Sequence, residues 1–83
     1  MEEWFVYIVE CADKTLYTGI TTDMERRINE HNSSQKGAKY TKTRRPVTMV
    51  YFETALDRTT ASKRESQIKK LSRKEKMELI RHF

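Results

Sequence analysis

Two charged residues, Arg27 and Glu65, fall on sides of predicted helices that should face the protein core. With about 100° of rotation per residue, Arg27 borders the apolar stripe that contains Met24 and Ile28. By the same rule, Glu65 lies on the inward face of a later helix with Ile68. A buried charge needs an opposite charge, several hydrogen bonds or a metal ion to offset its lost hydration. The two residues therefore form an ion pair that fixes how the helices dock, or they belong to a functional site.

A histidine and two tyrosines are further candidates for the same site. His31 lies one helical turn after Arg27 and borders the same apolar stripe. Tyr7 and Tyr17 lie on two strands that should pair, and the nearby Gly19 permits close backbone approach or a bend. Single tyrosines of this kind are packing residues more often than catalysts. Their combination with an inward-facing arginine and glutamate favours a functional site.

Three short strands should position the tyrosines. Residues 4–9 form an apolar run that is too short for a helix, which predicts a central strand buried on both faces. The polar residues 12–14 predict a turn, after which residues 15–19 would pair with the first strand as an antiparallel hairpin. Residues 47–53 are rich in apolar and aromatic side chains and suit a third strand.

The helix that carries Arg27 and His31 should start at a capping box. Thr22 and Glu25 match this motif, in which a hydroxyl and a carboxylate each accept a hydrogen bond from a backbone N–H of the first turn. The helix should therefore cover about residues 23–32. Residues 33–46, which follow, have no hydrophobic period, and we interpret them as a mobile basic loop.

Two further helices are predicted towards the C-terminus. A helical pattern that includes Glu65 runs from about residue 57 to residue 71. Ser72 and Glu75 match a second capping box, so a new helix should start there. That last helix should direct its apolar side chains inward, namely Met77, Ile80 and Phe83.

The element order β-β-α-β-α-α predicts an α+β fold with a small three-stranded, largely antiparallel sheet flanked by about three helices. A chain of 83 residues fits a single domain, residues 1–83. Its one cysteine, Cys11, excludes an internal disulfide and a thiolate zinc cluster. The longest strictly apolar run, residues 4–9, is far shorter than the roughly 20 residues that cross a bilayer. We therefore expect no membrane contact and a reduced, cytoplasmic location.

Positive charge is concentrated in the second half of the chain. Residues 1–35 contain three Lys or Arg against seven Asp or Glu, whereas residues 36–83 contain fourteen against five. This asymmetry indicates a polyanionic partner, chiefly nucleic acid, or else an ordinary solvated surface. Tyr40 would stack on an unpaired base or pack against its own domain. The predicted nucleic-acid contacts are Lys36, Lys39, Tyr40, Lys42, Arg44, Arg45, Lys63, Lys69 and Lys70.

The order of these motifs resembles that of the GIY-YIG nuclease domain. Phe5-Val6-Tyr7 is followed after nine residues by Tyr17-Thr18-Gly19, then by the helix with Arg27, and later by Glu65. The stretches YTGITTDMERRINEHNSSQKGAKYTKTRRPV and ASKRESQIKKLSRKEK are similar to a small stand-alone, UPF0213-like group. That group is related to the nuclease module of the excision-repair C subunit and to the Slx-type nuclease. The resemblance covers almost the entire chain, although Phe5 and Val6 replace the Gly and Ile of the family name.

The resemblance implies a metal-dependent endonuclease that hydrolyses DNA phosphodiester bonds, in DNA repair or on branched or damaged structures. It implies that Glu65 binds a single Mg²⁺ or Mn²⁺ ion and that Arg27 stabilises charge developing on the phosphate. It implies that Tyr7 and Tyr17 position or deprotonate the attacking water. His31 matches a histidine found one turn after the arginine in some members. Because one carboxylate holds Mg²⁺ only weakly, we expect metal binding to be assisted by the substrate.

Two departures from the family pattern favour a second hypothesis. Many active members have a lysine or another polar residue where this chain has Ile20. Many also have an asparagine after the metal-binding glutamate, whereas Asn29 and Asn32 both precede Glu65. The alternative is a nucleic-acid-binding protein that keeps the fold and has little or no catalytic activity. A third hypothesis is a scaffold whose basic face binds an acidic protein.

Overall fold

The chain folds into one three-stranded sheet with helices on both faces, and the computed structural model describes residues 3–33 and 36–83. The elements in chain order are β1 (Trp4–Glu10), β2 (Leu16–Thr21), α1 (Met24–Ser33), α2 (Lys39–Lys42), β3 (Thr48–Ala55), α3 (Arg58–Lys69) and α4 (Arg73–Arg81). The predicted α+β fold and its element order are confirmed, with the short helix α2 added. Within the described ranges, no helix is long and apolar enough to cross a membrane.

The strand β1 lies in the centre of the sheet, as its unbroken apolar run predicts. The strand order is β2-β1-β3, and both pairings are antiparallel. The hairpin of β1 and β2 places Tyr7 directly opposite Gly19. On its other side β1 pairs with β3, so that Tyr7 lies opposite Phe52. The pairing therefore places one of the predicted site tyrosines in the middle of the sheet.

Two small cores lie on opposite faces of β1, because successive side chains of a strand point in opposite directions. One core is built from Val6, Ile8, Ala61 and Ile68, the last two from α3. The other is built from Tyr7, Val9, Cys11 and Val47, and the α1 residues Met24 and Ile28 pack against it. Tyr7 therefore shares its side of the sheet with α1.

The two predicted capping boxes have different outcomes. At α1, Asp23 rather than Thr22 caps the helix, and its Oδ1 accepts a hydrogen bond from the backbone N–H of Arg26 at 3.1 Å. The first prediction was wrong because α1 begins one residue later than the motif requires. The second box is confirmed, since Ser72 Oγ accepts from the Glu75 N–H at 3.1 Å and Glu75 Oε1 accepts from the Ser72 N–H at 2.9 Å.

The basic segment after α1 has more regular structure than predicted. Residues 39–42 form α2, although a loop was predicted for residues 33–46, of which positions 34 and 35 lie outside the described residues. A Cβ atom on Gly37 would lie 2.7 Å from the backbone oxygen of Glu30, so this segment packs directly against α1. The sequence gives little sign of α2 because four residues are too few to show a hydrophobic period.

The last helix buries different side chains from those predicted. Ile80 packs against the core as expected, together with Leu79. Met77 and Phe83 are exposed, so their predicted inward orientation was wrong. The reason is that α4 lies on the sheet through Leu79 and Ile80 and ends at Arg81. Beyond that end, the exposed Phe83 ring contacts Phe52, with 5.3 Å between ring centroids.

Candidate functional site

Tyr7 reaches across the neighbouring strand to a buried histidine. A Cβ atom on Gly19 would lie 2.5 Å from the Tyr7 hydroxyl oxygen and 2.7 Å from Cζ, so only glycine leaves room for this phenol. The hydroxyl oxygen lies 2.7 Å from Nε2 of His31. Tyr7 is 1% exposed and His31 is 0% exposed, so the hydrogen bond lies almost wholly away from bulk solvent. The glycine predicted to allow close approach therefore does so for Tyr7.

The hydrogen bonds of His31 determine which of its ring nitrogens carries the proton. Nδ1 lies 2.8 Å from Oγ1 of Thr41, and that hydroxyl donates its hydrogen to the backbone oxygen of Ala38 at 2.9 Å. A hydroxyl has only one hydrogen to donate, so when it is given to Ala38 the Thr41 Oγ1 accepts from Nδ1–H. Nε2 is then unprotonated and accepts the hydrogen of the Tyr7 hydroxyl.

The electrostatic surroundings keep both partners of this hydrogen bond neutral. Burial raises the pKa of Tyr7 to about 12, although a hydrogen bond from Arg27 and the positive charge of that guanidinium lower the value. Burial, reinforced by the charge of Arg27, lowers the pKa of His31 to about 4. At neutral pH Tyr7 is therefore a protonated phenol and His31 a neutral imidazole with a free lone pair.

Arg27 is held beside Tyr7 by partners on its own side of the sheet. Its Nη1 donates to Glu30 Oε1 at 2.9 Å and to the backbone oxygen of Lys36 at 2.8 Å. Its side chain keeps 24% of its surface exposed, so the guanidinium remains within reach of a ligand. The proposed ion pair with Glu65 was wrong because Arg27 pairs with Glu30 one turn further along α1.

Tyr17 and Tyr40 extend the site towards the surface. The Tyr17 ring packs edge-on against His31 with 5.5 Å between centroids, and it stacks on Tyr40 at 5.8 Å. The guanidinium carbon of Arg44 lies 4.0 Å from the centre of the Tyr40 ring. Arg44 Nε is also 3.1 Å from Oδ2 of Asp13. Tyr40 thus packs against its own domain, yet it is 38% exposed, so its predicted stacking on an unpaired base stays a prediction.

Glu65 lies on α3, which packs against β1 and β2. Its side chain is 21% exposed and its Oε2 is 3.5 Å from Nζ of Lys69. The carboxylate is near enough to Tyr7 for its charge to contribute slightly to the raised pKa of that phenol. Among the described residues, no group of three or more His, Cys, Asp or Glu side chains could hold a metal ion. A lone, accessible carboxylate fits Mg²⁺, which retains several waters and takes further oxygens from phosphates.

The predicted nucleic-acid contacts belong to two separate segments of the chain. One set is exposed on the segment after α1: Lys36, Lys39, Tyr40 and Lys42. The other is exposed on α3 and at its end: Lys63, Lys69 and Lys70. Arg45 differs from these residues, because its Nε donates to the backbone oxygen of His31 and its Nη2 to that of Glu30 at 3.3 Å. Arg45 therefore holds the end of α1 as well as contributing positive charge.

Two polar residues that support the site were not predicted from the sequence. Thr41 is fully buried beneath His31. Asn32 forms paired hydrogen bonds with the backbone of Val47, its Oδ1 accepting at 2.7 Å and its Nδ2 donating at 3.0 Å. Neither belongs to a periodic pattern or a charged motif, so the local sequence carries no signal for either residue.

Replacing Gly19 with alanine is expected to destabilise the fold by about 1 to 3 kcal/mol, the usual range for overpacking. The added methyl group would occupy the space of the Tyr7 hydroxyl and push it away from His31. The free energy of unfolding should be measured by denaturant titration. In a Tyr7→Leu background the colliding atoms are absent, so Gly19→Ala should be clearly less destabilising there. An equal effect in both backgrounds would contradict this account of Gly19.

A family model of the GIY-YIG catalytic domain matches residues 3–78 of the chain. The matched range contains β1 with Tyr7, β2 with Tyr17, α1 with Arg27 and α3 with Glu65. The chain therefore belongs to the GIY-YIG family. This is a nuclease family whose members generally depend on a divalent metal ion and act on nucleic acid.

Similar proteins identify the group within that family. UPF0213 protein DP2720 of Desulfotalea psychrophila is 65% identical over 78 residues, which are 94% of this chain and 71% of that protein. A UPF0213 protein of Syntrophus aciditrophicus is 56% identical over 81 residues, which are 98% of this chain and 93% of that protein.

The solution NMR structure of UPF0213 protein BH0048 from Bacillus halodurans is 44% identical with a TM-score of 0.59, covering 94% of this chain and 82% of that one. The protein EF2693 from E. faecalis is 39% identical with a TM-score of 0.66, covering 100% and 88%. Within the GIY-YIG family, the chain is thus a UPF0213-type protein.

Proposed function

We propose that this protein is a divalent-metal-dependent endonuclease that hydrolyses DNA phosphodiester bonds, on branched or damaged structures of the kind met in DNA repair. The observation that carries the proposal is the buried hydrogen bond from the Tyr7 hydroxyl to His31 Nε2, next to the Arg27 guanidinium. Tyr7 and His31 can accept the proton of an attacking water, and Arg27 can stabilise the phosphate. Hydrolysis of a phosphodiester requires both.

The proton of the attacking water would leave through Tyr7 and His31. A phenol with a pKa of about 12 accepts a proton only if it gives up its own at the same time. The hydrogen bond to Nε2 provides this route, because His31 is neutral and its lone pair points at the Tyr7 hydroxyl. The water oxygen forms the new bond to phosphorus, the bond to the leaving oxygen breaks, and the leaving oxygen takes up a proton from solvent. His31 then returns the proton that it gained to solvent. A phosphate bound at Arg27 would offset the positive charge of that residue, which after burial is the second cause that disfavours protonated His31.

Arg27 would stabilise the negative charge that develops on the phosphate. Its guanidinium is held by Glu30 and by the Lys36 backbone, so it need not reorganise during the reaction. Arginine suits this role because it is always charged and its planar fork matches phosphate oxygens. Tyr17, which packs against His31, would position the attacking water.

Glu65 would hold the metal ion, Mg²⁺ or Mn²⁺, with substrate phosphate oxygens and waters as the other ligands. Such an ion supplies Lewis acidity that neutralises charge on the phosphate. The local partner of Glu65 is the exposed Lys69, which can turn towards solvent when a cation binds. The single carboxylate supports substrate-assisted binding, because by itself it would hold the ion only weakly.

The exposed lysines would hold the DNA backbone on both sides of the site. One group lies between α1 and β3 and the other on α3, and both present flexible ammonium groups rather than a sequence-reading module. Contacts of this kind bind phosphates without sequence preference and weaken steeply with salt.

A second candidate function is nucleic-acid binding with little or no catalysis. The observation that favours it is the environment of Ile20, which stands where many active relatives have a lysine. Ile20 packs against the apolar core beneath α3, so it supplies no cation that would lower the pKa of a phenol. The basic surface would be retained in this case while hydrolysis is slow.

Removal of the Glu65 carboxylate tests the proposed function directly. Glu65→Gln should reduce cleavage of single-stranded, duplex or branched DNA by about 100-fold or more in Mg²⁺ or Mn²⁺, while leaving DNA binding and the melting temperature unchanged. Glu78→Gln, which alters an exposed glutamate of α4, is the matched control and should cut normally. EDTA should abolish cleavage by the wild type. A wild type that binds these substrates and never cuts would establish the second candidate instead, and a wild type that does not bind would overturn both.

A further inference from the structure

A buried threonine of the basic segment determines which nitrogen of His31 is available to Tyr7. We propose that Thr41 is a positioning residue for the proton route, acting by accepting the hydrogen of His31 Nδ1 and so keeping Nε2 free. The effect of Thr41 on catalysis rests on the proposed function, whereas its effect on the tautomer of His31 does not. No motif in the sequence indicates this role, since Thr41 lies in a stretch of exposed basic residues.

The geometry allows Thr41 only one role towards the histidine. The hydroxyl is 0% exposed, and its single hydrogen is directed to the backbone oxygen of Ala38 at 2.9 Å. With that hydrogen given to Ala38, the hydroxyl accepts at the 2.8 Å contact, and under the proposal the hydrogen of that bond belongs to Nδ1. Without the hydroxyl, Nδ1–H would be buried without a partner, which is unfavourable. The other tautomer, with the hydrogen on Nε2, would then gain population and could not accept from Tyr7.

The same threonine links the basic surface to the buried site. Thr41 lies between the exposed residues Tyr40 and Lys42 on α2, and α2 follows a turn whose Gly37 packs against α1. Arg45 attaches the other end of this segment to the backbone of His31. The segment proposed to contact the DNA backbone therefore also fixes the histidine on which the proton route depends.

Long-range ¹H–¹⁵N NMR spectra of the histidine rings test the proposal without any nuclease assay. In the free wild-type protein, His31 should show a protonated, pyrrole-type Nδ1 and an unprotonated, pyridine-type Nε2. His82 is exposed near the C-terminus and provides an internal reference for a ring in solvent. Thr41→Ser keeps the hydroxyl and should keep this tautomer, whereas Thr41→Val should shift it towards Nε2–H. Thr54→Val changes an exposed threonine of β3 and should leave the spectrum unaltered.

The cleavage rates of the Thr41 variants should change in parallel with the tautomer of His31. Thr41→Val should lower kcat by about 10- to 100-fold with little change in KM, the range in which orienting partners of histidine act, and Thr41→Ser should restore most of the activity. A wild type with the hydrogen on Nε2 would overturn the proposal, and this result does not depend on whether the valine variant folds. An unchanged tautomer in Thr41→Val would also overturn it. The expected tautomers in a wild type that never cleaves would uphold the role of Thr41 and refute the nuclease function alone.

Discussion

Tyr7→Phe is expected to lower the rate of DNA cleavage by about 10²- to 10⁴-fold, the range typical of a lost general acid–base group. Phenylalanine keeps the ring that packs in the second core but removes the hydroxyl that donates to His31 Nε2. The attacking water then has no neighbour that can pass its proton to the histidine. Single-turnover rates at saturating enzyme, measured with Mg²⁺ on the best substrate, separate this loss from any change in binding.

A matched tyrosine on the same sheet distinguishes chemistry from packing in that experiment. Tyr51→Phe removes a hydroxyl that donates to Glu53 Oε1 at 2.7 Å on β3, away from His31. This control should retain full cleavage. Tyr7→Phe should also lose about 1 to 3 kcal/mol of stability, because His31 Nε2 is left buried without a donor. A folded Tyr7→Phe variant that cleaves at the wild-type rate would rule out the proton route through Tyr7.

The folded protein should lose stability as the pH falls from about 6.5 to about 4, because His31 resists protonation in the fold. Its pKa is lowered from 6.5 to about 4, chiefly by burial. Between those values the unfolded chain binds a proton that the folded chain does not, so acid favours unfolding. Above pH 6.5 the folded protein keeps all of this stability. The free energy of unfolding lost by about pH 4 is on the order of 3 kcal/mol. Denaturant unfolding at a series of pH values measures it.

Other groups also make the fold acid-sensitive, so a variant without the imidazole is needed to measure the contribution of His31. Hydrogen bonds lower the pKa values of Asp13, Asp57 and Glu75, and these carboxylates likewise lose their stabilising contribution as the pH falls through their folded-state pKa values. His31→Gln keeps those groups and removes the imidazole. The variant should show a shallower decline between pH 6.5 and pH 4. Parallel stability curves for the wild type and His31→Gln would show that His31 is protonated in the folded state as readily as in the unfolded chain.

Sequence reasoning succeeded where a side chain's role depends on its near neighbours in the chain. The apolar run of β1 predicted a central strand, and Ser72 with Glu75 predicted the start of α4, because both signals are contained in a few consecutive residues. Helical spacing likewise placed His31 towards the core, where it is fully buried. It failed at Phe83, since a residue just beyond a helix end no longer follows the helical period.

The partners of Arg27 and Glu65, in contrast, could not be predicted from their near neighbours in the chain. The helical wheel indicates that Arg27 and Glu65 face inward, but not which charge each one meets. Arg27 pairs with Glu30 and Glu65 with Lys69, each within its own helix, so the expected bridge between helices is absent. A wheel gives direction around one axis only, so it cannot identify the partner that each charge meets.

The sequence by itself determined the order of elements, the buried strand and the set of residue types from which a nuclease site is built. Only the tertiary structure decided how they combine: Gly19 makes room for the Tyr7 ring, and Thr41, ten residues beyond His31, sets its tautomer. Periodicity reports which side of an element faces the core, because it depends on local geometry alone. The direction of the Tyr7–His31 hydrogen bond depends on side chains that the fold brings together from residues 7, 31 and 41.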